Sequence, residues 1–322
     1  MSKAILRVCF TLLILLAIGP VLGSMVRTLQ DVDGGRAFTF FVSDSPLRGA
    51  ILLVIASAVS LALGVVCTRL FSLASGLFAS GMTLAWCGWQ LGMIDAMIRR
   101  TGTGGDLLTL AFEAIIVGFI TFAIGCICTR VAEKLQPPAL QVKAPKGAAE
   151  FFLREEPERG GNWMGAVGAV IAASAVGCAI AVSIFCVTTM KGQTLFATFL
   201  GGIAAGLAGA YVAGMMKISI RVTTAMLGAV LVGVVAPIVA YVLHGKGILD
   251  AAYADKLLAA ARPVSLDWAS GALLGVPIGL SWGGVVTDVR ALEHYQDGSM
   301  GNGVASQRSE EGRAVGKGGV GY

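Results

Sequence analysis

The side chain in this sequence best suited to exchange a proton or hold a cation is Glu113, the single acidic residue inside an apolar run at 107–129. A carboxylate in hydrocarbon is costly to keep ionised, so such a residue faces a protein interior or a water-filled cavity, or takes up a proton. On a helix turning about 100° per residue, Asp106 and Thr109 fall within about 20° and 40° of Glu113. Val117, Ile120 and Ile124 carry the same face onward without a polar group. Gln90, at the end of the preceding apolar run, is a further hydrogen-bonding candidate. Together Glu113, Asp106, Thr109 and Gln90 make a short candidate polar path for a proton, a cation or a small polar solute. The competing reading is a structural carboxyl that snorkels to headgroup water or ties two helices together.

Other chemistry is sparse. The two histidines, His244 and His294, lie outside the apolar runs, and no H-E-x-x-H metal motif occurs. All seven cysteines fall within apolar runs and read as reduced packing residues, and Cys126 and Cys128, two apart, point away from each other on a helix. Ala-Ser-Gly occurs at 74–76, 79–81 and 269–271. Each copy lacks the first glycine of the G-x-S-G serine of rhomboid-type intramembrane proteases, and no histidine within a span could act as its base. Residues 312–318 are one position short of a phosphate loop and lack Ser or Thr after Lys317. These absences point to no enzyme, no metal and no cofactor. Asp95, Asp267 and Asp288 sit near span ends and read as interfacial or capping residues.

The elements that must position Glu113 are membrane helices. Of 322 residues, 56% are hydrophobic and 13% charged, far from the balance of a water-soluble domain. The apolar residues gather in runs of about 20, the length at which a helix crosses about 30 Å of hydrocarbon, without the alternation of an outer-membrane barrel. The expectation is an all-α, polytopic integral membrane protein of eight spans. It has seven if the first run, which follows Lys3 and Arg7 and has Val21 and Gly23 near its end, is a cleaved signal. The third span is expected over 71–97, and residues 27–48 read as an exposed polar loop.

Small residues organise the carboxy-terminal half. Gly271, Gly275, Gly279 and Gly283 recur every four residues in the last span, around Pro277, and Gly202, Gly206, Ala210 and Gly214 do so in the sixth. On a helix this spacing makes a ridge that lets backbones approach closely, the mode of association available in lipid. Close Gly/Ala packing of spans five to eight is therefore expected. Between the last two spans, the alanine-rich stretch 248–261 reads as a short helix.

The chain divides into spans one to four at 1–130, a polar linker at 131–162, spans five to eight at 163–286, and a Gly/Ser-rich tail at 287–322 read as disordered. Phe151, Phe152 and Leu153 are the linker's apolar exception and suit a short surface helix or a partly ordered connector. With eight spans, the side that holds the amino terminus, linker and tail carries 15 Lys and Arg against 9 on the other. The positive-inside rule puts that side in the cytoplasm of a cell membrane. Basic residues spread over loops without interleaved aromatics exclude nucleic acid, which leaves the bilayer, and a second copy or a membrane complex, as partners. Two function classes follow: a transporter or channel-like permeation protein, or a structural or assembly subunit.

Overall fold

The computed structural model describes residues 3–30, 35–102, 104–135, 147–154 and 163–285. The expected tail at 287–322 and the linker at 136–146 and 155–162 lie outside the described residues. The chain is an all-helical integral membrane protein. Among the described residues, six helices are long and apolar enough to cross a bilayer: Ile5–Val26, Pro46–Leu70, Gly105–Lys134, Trp163–Phe185, Lys191–Met215 and Val222–Tyr253. Strand pairing among the described residues is confined to two isolated bridges.

The first span joins α1 (Lys3–Leu13), a π-helical stretch at Ile14–Ile18 and α2 (Gly19–Val26). Pro20 explains the wide turn, because it lacks an N–H and its ring presses on the preceding turn. Next come α3 (Pro46–Leu70) and α4 (Leu73–Gln90), joined by a turn in which the Ser72 hydroxyl accepts the Ser75 N–H at 3.2 Å and caps α4. The long third span expected from the sequence ends early. At Leu91–Met93 the Gly92 N–H is taken by the Ala37 carbonyl at 2.8 Å, and a separate helix, α5 (Ile94–Thr101), follows. It closes on Gly102 in the left-handed region at φ 65°.

Then run α6 (Gly105–Lys134), α7 (Trp163–Phe185), α8 (Lys191–Met215), α9 (Val222–His244), the short α10 (Ile248–Tyr253) and α11 (Ser265–Trp282). Pro237 and Pro277 are absorbed inside continuous helices. The alanine-rich stretch does not form one helix. It breaks after α10 and resumes as a 3-10 turn at Ala259–Ala261, because the buried Arg262 guanidinium binds the Asp255 carbonyl at 2.9 Å and the Leu257 carbonyl at 3.2 Å.

The least apolar long helices sit deepest. Fourteen of the 18 residues of α11 and 11 of the 18 of α4 are buried, against 5 of 23 in α7. A helix walled by protein has no need of a lipid-facing surface, so Ser, Thr and Asp are tolerated there. Helix α11 packs on α4, α6, α8 and α9, and α6 packs on α9, so spans from both sides of the linker share one core.

The α8–α11 contact is backbone on backbone. A Cβ at Gly271 would lie 2.5 Å from the Thr198 carbonyl carbon, at Gly275 2.7 Å from the Ile203 nitrogen, and at Gly279 2.9 Å from the Leu207 nitrogen. From the other helix, a Cβ at Gly202 would come 3.0 Å from the Gly271 carbonyl carbon and at Gly206 2.7 Å from the Leu280 nitrogen. Gly283 lies just beyond α11, where a Cβ would meet that of Ala210. Gly214 is exposed, and a Cβ there would meet nothing within 4 Å.

The linker segment at Gly147–Phe151 is a 3-10 turn. It docks on protein: Thr223 and Thr224 hydroxyls donate to the Phe151 and Phe152 carbonyls at 2.7 and 2.6 Å, and Leu153, buried, bridges to Ile220. At the same end Arg221 pairs with Glu133 at 2.9 Å.

Candidate functional site

Helix α6 carries Glu113 into the interior, where the residue is 0% exposed. Its partners come from elsewhere in the chain. One carboxylate oxygen accepts a hydrogen bond from the Ser265 hydroxyl at the start of α11, and the other accepts the Phe41 N–H at 3.1 Å. The Thr39 hydroxyl also bonds to the carboxylate, while accepting the Val42 N–H at 3.1 Å. Residues 36–45 are therefore not the exposed loop expected from the sequence. Ala37, Phe38, Thr39 and Phe40 are buried, and the Phe40 carbonyl lies where a Cβ of Gly49 would go. The apolar run Ala-Phe-Thr-Phe-Phe-Val at 37–42 folds inward because exposing three phenylalanines would waste their burial; Asp31, Asp33 and Gly34 lie outside the described residues.

A second buried carboxylate lies two residues beyond Ser265, the hydroxyl that donates to Glu113. Asp267, also 0% exposed, caps α11: its Oδ2 accepts the Val264 N–H at 3.1 Å, and its own N–H donates to the Val264 carbonyl at 3.0 Å. The same Oδ2 meets Lys191 Nζ at 3.3 Å, and the Lys191 side chain is 11% exposed. The ammonium also acts on the charge of Glu113. Lys191 is the first residue of α8, where a cation opposes the helix dipole, so Asp267 rather than the helix holds it there. Asp267 Oδ1 has no hydrogen-bond partner and faces α4, 3.1 Å from where a Cβ of Gly88 would be. One buried carboxylate, that of Asp267, is thus paired with the ammonium of Lys191.

Sequence reasoning placed Asp267 at a span end as a cap and passed over Lys191 and Ser265. Asp267 does cap, but it is sealed from headgroup water. Asp106 and Thr109 are half-buried, and Gln90 turns toward α2, its Cγ 3.3 Å from where a Cβ of Gly23 would stand. The carboxylate's bonds go instead to Ser265, Thr39 and the Phe41 amide. The serines of the Ala-Ser-Gly copies are committed to structure. Ser80 and Ser60 exchange hydroxyl-to-carbonyl bonds across α3 and α4 at 2.9 and 3.0 Å, Ser75 belongs to the α4 cap, and Ser270 donates to the Asp267 carbonyl at 3.0 Å.

The loops around this end are clipped together. Arg262 pairs with Asp255 at 3.3 Å and donates to the Val187 carbonyl, and Arg99 donates to the Ala252 carbonyl at 3.0 Å. Comparison with known proteins returns no matching family model, no similar curated protein and no similar solved structure.

Proposed function

We propose that the chain spans a cell membrane eight times and moves a small cation, proton or polar solute, with Glu113, Lys191 and Asp267 as the group that titrates or coordinates it. One observation carries this reading. The buried Glu113 carboxylate bonds to Ser265, two residues before the buried Asp267 that pairs with Lys191, and one Asp267 carboxylate oxygen has no partner. Charges placed this deep mark substrate or ion paths, and isolated structural helices have little reason to bear their cost.

Eight crossings are supported by which loops meet. Residues 36–45 bond to 91–93, residues 186–191 bond to 252–267, and Arg99 of α5 bonds to Ala252, while 130–133, 147–154 and 217–224 meet elsewhere. That alternation favours α4 as a crossing beyond the six apolar spans, and the packing of α11 along α8 favours α11 as another. Cysteines placed singly at Arg69 and Met93, in a cysteine-free background, flank α4. They will label from opposite sides of the membrane with an impermeant maleimide. Labelling from one side removes α4 as a span.

The 15 to 9 split of basic residues puts the linker in the cytoplasm and the Glu113 cluster at the opposite end. In reconstituted vesicles, Glu113→Gln will fold like wild type, because the amide matches the carboxyl in shape. It will abolish the proton or sodium flux that the wild type shows under an imposed potential. A structural role has its own support, since Ser265, Thr39 and the Phe41 amide satisfy Glu113 as they would a fixed tether. On that reading Glu113→Gln, Glu113→Asp and Glu113→Leu change melting temperature and leave flux alone. Unaltered flux in all three folded variants sinks the permeation role.

A further inference from the structure

Helices α2 and α4 run side by side in the same direction, in a register fixed by two glycines. A Cβ at Gly19 would fall 2.7 Å from Trp86 Cγ, and one at Gly23 would fall 3.3 Å from the Trp86 carbonyl oxygen and Gln90 Cγ. Beyond the π-helical stretch toward the amino terminus this close contact ends. A cavity of about 250 Å³ opens between α1 and the α3–α4 pair, with Arg7 and Ser75 beside Phe10 and Phe71 toward the amino-terminal end, Thr11 midway, and Ile14, Phe78 and Met82 deeper. Seven residues separate Arg7 from Ile14, and seven separate Ser75 from Met82, so the polar mouth and the apolar floor are about 10 Å apart.

The geometry points to an anionic phospholipid in this cavity, drawn from the leaflet on the amino-terminal side. Its phosphate lies against Arg7 and the hydroxyls of Thr11 and Ser75, and its first chain carbons lie on Ile14, Phe78 and Met82. Three features select that occupant. The mouth is cationic, since Arg7 is the one charged residue lining the cavity. The amino-terminal turn of α4, which contains Ser75, adds the positive end of a helix dipole on the same side. The floor is apolar and continuous with the lipid-exposed face of α1, where Val8, Leu12 and Leu16 are exposed. A free anion would leave that floor against water, and a zwitterionic lipid would bring its own headgroup cation beside Arg7, which an anionic lipid does not.

Purified full-length protein equilibrated with equimolar phosphatidylglycerol and phosphatidylcholine in mixed micelles, then analysed by native mass spectrometry, tests this. Wild type will retain one phosphatidylglycerol in preference to phosphatidylcholine. Arg7→Gln, at an exposed side chain, will lower that preference by about fivefold, the worth of one basic residue against an anionic headgroup. Thr11→Phe, which fills the cavity from an exposed position, will lower retention of both lipids without changing melting temperature. Equal retention of the two lipids by wild type overturns the proposal. So does an Arg7→Gln variant with undiminished preference, or a Thr11→Phe variant that holds lipid as wild type does.

Discussion

Lys191→Met will destabilise the folded protein by about 3–5 kcal/mol, and the double variant Lys191→Met, Asp267→Asn will recover most of the loss. The argument begins with what remains when the ammonium is gone. Asp267 is 0% exposed and its Oδ1 already lacks a partner, so the Val264 amide alone would face a buried negative charge. The positive end of α11 offsets only part of that cost. Asparagine keeps an acceptor for the Val264 N–H and removes the charge, which is why the second substitution restores stability. Unfolding in bicelles, followed for wild type, both single variants and the double variant, measures the coupling directly. Strict additivity of the two single effects would show that the 3.3 Å pair contributes nothing.

The architecture was legible wherever the signal was local. Runs of about 20 apolar residues announce helices because crossing a bilayer leaves few other backbone solutions, and the four-residue glycine spacing in α11 is visible in any listing of residues 271–283. Glu113 stood out because it interrupts such a run. Its surroundings were not legible. Helical geometry suggested Asp106 and Thr109, neighbours on the same helix, but the hydrogen bonds come from Phe41, 72 positions away, and Ser265, 152 positions away. Lys191 meets Asp267 across 76 positions. No periodicity in a single chain reports contacts of that kind.

Hydropathy misleads in the same way at the centre of the bundle. Helices α4 and α11 look weak as membrane spans because they hold Ser75, Ser80, Thr83, Ser265, Asp267 and Ser270, yet these are the positions protein surrounds. A serine facing lipid would be a cost, whereas Ser60 and Ser80 join two helices by reciprocal bonds. The inward turn of residues 37–40 was missed for the opposite reason. The nearby polar residues of 27–48 outweighed a short aromatic run whose burial depends on Gly49 and Gly92 leaving room for Phe40 and Phe38.

Gly279→Leu and Gly275→Leu will each lower the yield of folded protein in detergent by about tenfold or more, while Gly168→Leu and Gly214→Leu will leave it at the wild-type level. Overpacking a core with a flexible neighbour costs about 1–3 kcal/mol, since the neighbour can shift to another rotamer. At Gly275 and Gly279 the obstructing atoms are backbone, including the Ile203 nitrogen at 2.7 Å and the Leu207 nitrogen at 2.9 Å, and backbone has no rotamer to escape into. Either α8 and α11 separate along their length or the pair fails to form. Separation would also displace Lys191 from Asp267, because those residues lie at the near ends of the same two helices. The paired controls exclude an effect of leucine itself. Gly168 and Gly214 are exposed helical glycines whose added Cβ meets nothing within 4 Å, and leucine is the better helix former. Alanine at 275 and 279 will fall between, since one methyl already enters the forbidden distance. Should the ridge and control variants give equal yields and equal melting temperatures, backbone contact between α8 and α11 is not what holds this half of the protein together.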